Sequence, residues 1–121
     1  MKTFNIKLVR EDEYKIEVDS EVWNEEARKD FETVFWPLPE LEDVAKSVAE
    51  GITRRGIGQF YEGFGHLVTF RDGKEMIQRK IVNGQIHKRE AGDYCKGIIV
   101  HILDFDYDYS IEILKDQPCQ Q

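Results

Sequence analysis

The chain has 121 residues, 34% charged and 40% hydrophobic, with seven Phe, five Tyr and two Trp. That length suits one domain, and the aromatic content sets it apart from disordered chains. A formal net charge of −7 argues against nucleic-acid binding as the main role, and no apolar run approaches the roughly 20 residues that span a membrane.

The chain begins Met1-Lys2-Thr3-Phe4-Asn5-Ile6-Lys7, alternating polar and apolar residues. A signal peptide would show an unbroken apolar core, so a cytoplasmic location is expected. Phe4, Ile6 and Leu8 form one apolar face, and Tyr14, Ile16 and Val18 form another. Both are period-2 patterns, and the short charged link Arg10-Glu11-Asp12-Glu13 between them predicts an antiparallel hairpin.

Asn24 then predicts a helix N-cap, with Trp23 just outside it and Glu25 and Glu26 at the positive end of the dipole. Ala27, Phe31, Val34 and Phe35 recur at helical spacing, and Pro37 and Pro39 stop the helix. A second helix is expected from Pro39-Glu40 to Gly56, with Leu41, Val44, Ala45, Val48 and Ile52 on one stripe.

The remainder reads as strands. His66 to Phe70 leads into Asp72-Gly73, and Met76 to Val82 leads into Asn83-Gly84 and then Gln85 to Lys88. Asp-Gly and Asn-Gly between apolar stretches are strong hairpin signals. Gly97 to Leu103 and Phe105 to Leu114 complete the pattern, as two strands or as one long strand. The expected class is α+β. An antiparallel sheet of about five or six strands, in the order β-β-α-α-β-β-β-β, carries two helices on one face and keeps its other face polar. Residues 1–116 form the domain, and 117–121 a frayed polar tail.

Charge is distributed unevenly. Residues 1–50 hold 7 basic and 14 acidic side chains, residues 51–101 hold 9 and 5, and residues 102–121 hold 1 and 5. Two acidic surfaces are expected. One is the outer face of the first helix with its approach, including Glu25, Glu26 and Asp30. The other is the strand Asp104-Phe105-Asp106-Tyr107-Asp108-Tyr109, where strand geometry puts Asp104, Asp106 and Asp108 on one face at intervals of about 6.6 Å. Arg79, Lys80, His87, Lys88 and Arg89 lie on neighbouring predicted strands, and cross-strand pairing with them would neutralise these acids. Carboxylates spaced along one strand lie too far apart to share a metal ion, so neither a metal nor a cofactor is expected.

No residue set reads as a catalytic centre. Gly56-Ile57-Gly58 and Gly63-Phe64-Gly65 follow a helix and precede a strand, the reverse of the order in phosphate loops. His66, His87 and His101 lack zinc spacing, and nothing in the sequence activates a Cys95–His101 pair. Cys95 reads as a semi-buried thiol and Cys119 as part of the tail. One segment stands out, Phe60-Tyr61-Glu62-Gly63-Phe64-Gly65. Phe60, Glu62, Phe64 and His66 there are candidate linings of a ligand pocket in which burial would suit Glu62 to acid–base work. The aromatic clusters Phe31, Phe35, Trp36 and Phe60, Tyr61, Phe64 read mostly as core; Trp36, beside Pro37-Leu38-Pro39, is the member best placed for the surface, with core packing still the favoured reading.

Trp23-Asn24-Glu25-Glu26, Asp30-Phe31, Phe35-Trp36, Leu41, Ala45, Val48-Ala49, Ile52 and Phe60-Tyr61-Glu62-Gly63-Phe64-Gly65 together resemble short proteins of unassigned activity encoded by phages and mobile elements. The resemblance covers roughly residues 14–65. It implies an accessory protein of a mobile element, a class that includes small acidic binders of basic, nucleic-acid-binding host proteins. Three functions follow as expectations: a non-enzymatic acidic binder of a basic protein, a small enzyme or ligand module at Glu62, or a structural subunit pairing through a sheet edge. Direct nucleic-acid binding is not expected, and the chain is a monomer or a homodimer.

Overall fold

A computed structural model describes residues 1–105 and 110–113; of Leu8 and 110–113 only the backbone is described. Asp106, Tyr107, Asp108, Tyr109 and Cys119 lie outside the described residues, as does the tail 117–121. The fold is α+β. In chain order come β1 (Ile6–Val9), β2 (Glu13–Val18), α1 (Glu25–Glu32), α2 (Leu41–Arg55), β3 (Val68–Arg71), β4 (Lys74–Glu75), β5 (Arg79–Val82), β6 (Gln85–Lys88), a 3₁₀ turn at Ala91–Asp93, β7 (Ile98–Asp104) and β8 (Ser110–Ile113). No helix among the described residues is long and apolar enough to cross a membrane.

The main sheet has the order β2-β7-β3-β4, while β1–β8 and β5–β6 form separate two-stranded ladders. Both Gly-containing turns occur as expected. Asp72 and Gly73 close β3–β4 with φ of 54° and 75°, and Asn83 and Gly84 close β5–β6 with φ of 51° and 79°. Two positive φ values in a two-residue loop match the twist of the flanking strands.

The first predicted hairpin does not form. β1 pairs with β8 and β2 with β7, both antiparallel, so the N-terminal segment runs on past Arg10-Glu11-Asp12 instead of folding back. The segment lacks the Gly or Asn that a tight turn needs, and the Asp12 side chain is only 3% exposed. Where the β2–β7 register shifts, Glu13 faces Asp104 and Tyr14 faces Ile102, leaving Leu103 as the extra residue of a bulge. The β3–β7 pairing is parallel within an otherwise antiparallel set. It is reached through a long connection that contains the β5–β6 hairpin, as parallel strands require.

Both helices contribute to one core on the inner sheet face. Val44, Val48 and Ile52 of α2 are at most 1% exposed and share the core with Ile98, Val100 and Ile102 of β7, with Leu67 beside β3 and with Phe31 of α1. Trp23, Phe31, Trp36 and Phe64 form an aromatic cluster with centroid separations of 5.1 to 6.2 Å. Trp36 is therefore half-buried, its indole N–H donating to Ser47 Oγ at 3.0 Å, and the exposed phenylalanines among the described residues are Phe4, Phe35 and Phe60. The α1 periodicity also overruns the helix. Thr33 caps it, leaving Val34 and Phe35 exposed beyond its end. The outer sheet face is less polar than expected: Ile99 and Leu103 are exposed there, and Phe70 stacks on His101 with centroids 5.4 Å apart.

Candidate functional site

The acidic end of the main sheet is built by the β2–β7 ladder. Asp104 is the last residue of β7, and its ladder partner is Glu13. Both are exposed, and neither makes an ion pair among the described residues. Like charges directly opposite on a ladder repel, so this pair raises the local negative potential, although on the other side of β7 Arg71 faces Ile102, two residues before Asp104. Next to it, the Arg10 guanidinium donates to Asp12 at 2.9 Å and lies 4.5 Å above the Phe105 ring.

The second acidic surface belongs to α1. Asn24 Oδ1 accepts from the Ala27 N–H at 2.9 Å, which fixes the helix start and turns Glu25 and Glu26 outward at the positive dipole end. Glu25 pairs with Lys29 at 3.1 Å, with both side chains mostly in water. Glu26 and Asp30, one turn apart, share the same shallow depression as that pair. Among the described residues the two acidic surfaces are not brought together. Trp23 Nε1 donates to the Lys96 carbonyl at 3.1 Å, placing the start of α1 beside the beginning of β7, whereas Asp104 is at its end. That separation is on the order of 20 Å along the strand.

Most of the expected basic neighbours do not lie across from these acids. Arg79, Lys80, His87 and Lys88 sit on the β5–β6 hairpin, which has no ladder to β7. Arg79 faces Lys88 directly, next to the exposed Ile81–Ile86 pair. Lys80 donates to both oxygens of Asp93 at 2.7 and 2.8 Å, and this contact holds the Asp93 carboxyl below the usual carboxylate range.

The residues of the expected ligand pocket separate. Tyr61 to Gly65 is a tight turn, with Tyr61 N–H donating to the Gly65 carbonyl at 2.9 Å and Gly65 N–H to the Tyr61 carbonyl at 2.7 Å. Phe64 points into the core and Glu62 into solvent, so Glu62 lacks the burial that acid–base work would need. Phe60 is 61% exposed and packs edge-on against His66, with centroids 5.4 Å apart. Burial, with Arg89 adding to it, moves the His66 pKa down.

Glu62 and Phe64 do line a cleft of about 280 Å³, but its other walls come from α2 and from Trp36. Ser47, Glu50, Gly51 and Arg54 contribute at positions i, i+3, i+4 and i+7 of one helix face. That spacing was available in the sequence, but polar residues on it read as a solvated stripe. Gly51 leaves room for the Tyr61 ring, 3.4 Å from where a Cβ would stand, and burial raises the Tyr61 pKa.

Cys95 and His101 do not meet as a nucleophile pair. His101 Nε2 is 2.8 Å from Glu17 Oε2 on the outer sheet face, and that hydrogen bond lowers the Glu17 pKa. Cys95 N–H donates to the His66 carbonyl at 2.8 Å, and burial pushes its thiol pKa up, opposite to activation. Among the described residues no three His, Cys, Asp or Glu side chains converge to hold a metal ion. No family model, curated protein or solved structure matches the chain.

Proposed function

We propose that the chain is a non-enzymatic binding protein that presents carboxylates to a basic protein partner. The observation that carries the reading is the Glu13–Asp104 ladder pair: two exposed acids face each other while Arg79, Lys80, His87 and Lys88 are held on a separate hairpin. A surface dominated by one sign of charge favours a partner of the other sign and speeds their encounter. The late-strand acids Asp104, Asp106 and Asp108 and the α1 acids Glu25, Glu26 and Asp30 would supply it. The partner class we infer is a basic, nucleic-acid-binding host protein, and the chain is then an accessory protein of a phage or mobile element. The resemblance of residues 14–65 supports that part of the reading. Partner binding is expected to weaken as salt rises and to fall in an Asp104→Asn/Asp106→Asn/Asp108→Asn chain. Binding unchanged by both contradicts it.

A second reading places a small ligand in the cleft between Trp36, Arg54 and Glu62, because aromatic walls and ionic groups of both signs converge there. Shifts of the Trp36 indole N–H resonance in a fragment screen, absent in an Arg54→Ala chain, would support it. No shift with any fragment would remove it.

A further inference from the structure

β2 is an outer strand of the main sheet, with β7 on one side and no strand on the other among the described residues. Its hydrogen-bonding phase follows from one contact. Asp19 N–H donates to the Gly97 carbonyl at 2.8 Å, and the register then runs Val18–Ile98, Glu17–Ile99, Ile16–Val100, Lys15–His101 and Tyr14–Ile102. Hydrogen-bonded and non-hydrogen-bonded pairs alternate along an antiparallel ladder. Glu17 and Lys15 therefore spend their backbone groups on β7, while Tyr14, Ile16 and Val18 turn theirs to the open side. Three N–H and three C=O groups in a row form a template for another strand.

We propose that a second copy of this chain covers this edge, β2 against β2, antiparallel about a twofold axis through Ile16. The phase allows only registers that set outward-turned residues opposite one another. With Tyr14 opposite Ile16, Lys15 would face Lys15 and Glu13 would face Glu17. With Ile16 opposite Val18, Glu17 would face Glu17, Lys15 would face Asp19, and Tyr14 would have no partner within β2. With Ile16 opposite Ile16, all three outward residues pair, Tyr14 with Val18 on each side. Lys15 then faces Glu17 of the second copy, twice by symmetry. These pairs are non-hydrogen-bonded, the kind in which side chains approach closest. Glu13 opposite Asp19 is the remaining like-charge contact, at the two ends of the ladder where water screens it. The arrangement is isologous and closed, so it consumes one edge per chain and gives a dimer, not a fibre. The inference goes beyond the acidic-surface reading, since it assigns a different surface and a different partner.

Sedimentation equilibrium on the full chain tests it. A concentration-dependent monomer–dimer equilibrium is expected. Lys15→Glu and Glu17→Lys should each weaken the dimer by about tenfold or more, because two attractive pairs become repulsive. The Lys15→Glu/Glu17→Lys double variant should restore it, since the swapped charges face each other again. No other permitted register predicts that rescue. Both side chains are exposed, Glu17 being also hydrogen-bonded to His101 of its own chain, and circular dichroism would confirm retained structure in each variant. A monomer at every concentration, a dimer indifferent to Lys15→Glu, or a double variant as weak as the singles would each overturn the proposal.

Discussion

Thr53 Oγ1 of α2 donates to the Asp12 carboxylate at 2.8 Å, tying the segment between β1 and β2 to the helix. Tyr14 Oη sits 2.7 Å from Thr53 Oγ1 and 3.2 Å from the same carboxylate, and Arg10 Nε completes the cluster at 2.9 Å. With the Asp12 side chain 3% exposed, this is a buried acid held by a cation and two hydroxyls. Removing one partner of such a group strands the others. Asp12→Ala is expected to cost about 3–5 kcal/mol, and Thr53→Val about 1–2 kcal/mol. Urea unfolding should show a lower midpoint with the slope unchanged. A midpoint shift for Asp12→Ala no larger than that of Thr53→Val would contradict the cluster.

The same cluster sets an alkaline limit. Burial, together with the neighbouring Asp12 charge, pushes Tyr14 up to about 12. A folded-state pKa above the unfolded value near 10 means that the neutral phenol is favoured in the fold. Its contribution is complete below pH 10 and is lost as pH rises towards 12. Stability measured across pH 9–12 should fall less steeply in Tyr14→Phe than in the parent chain. Parallel slopes would remove Tyr14 from the account.

Gly63 and Gly84 both have positive φ, 86° and 79°, but their surroundings differ. A Cβ at Gly63 would stand 2.6 Å from the buried Phe31 ring, while nothing lies within 4 Å at Gly84. Gly84→Ala is expected to cost about 1 kcal/mol from backbone strain alone. Gly63→Ala should cost about 2–4 kcal/mol, because the overpacked aromatic cluster must also shift. Thermal unfolding of the pair checks this, and equal losses would contradict the close Phe31 contact.

That contact explains how much of the site was legible beforehand. Phe60-Tyr61-Glu62-Gly63-Phe64-Gly65 stood out in the sequence because two aromatics and two glycines make a tight turn against the core. Nothing local distinguishes such a turn from a ligand loop. Turn chemistry at Asp72-Gly73 and Asn83-Gly84 and the stripe Val44, Val48, Ile52 were readable because a few neighbouring residues decide them. The partners of β1 and β2 were not, since alternation fixes which face a strand buries and says nothing of which distant strand it meets. Parallel β3–β7 pairing is likewise a long-range choice.

Arg79 and Lys88 repel across the β5–β6 hairpin. Lys88→Glu converts that contact to an attractive pair and should stabilise the hairpin by about 0.5–1 kcal/mol. Slower amide exchange at Lys80 and His87, whose N–H groups lie inside the ladder, would register the gain, and faster exchange would contradict the register.

The most direct test of the acidic-surface reading is capture from a host lysate at two salt concentrations, comparing the full chain with a Glu13→Gln/Asp104→Asn chain. The account predicts that basic, nucleic-acid-binding proteins are retained at low salt, released at high salt and lost from the variant. The same proteins held equally by both chains at both salt concentrations would contradict it.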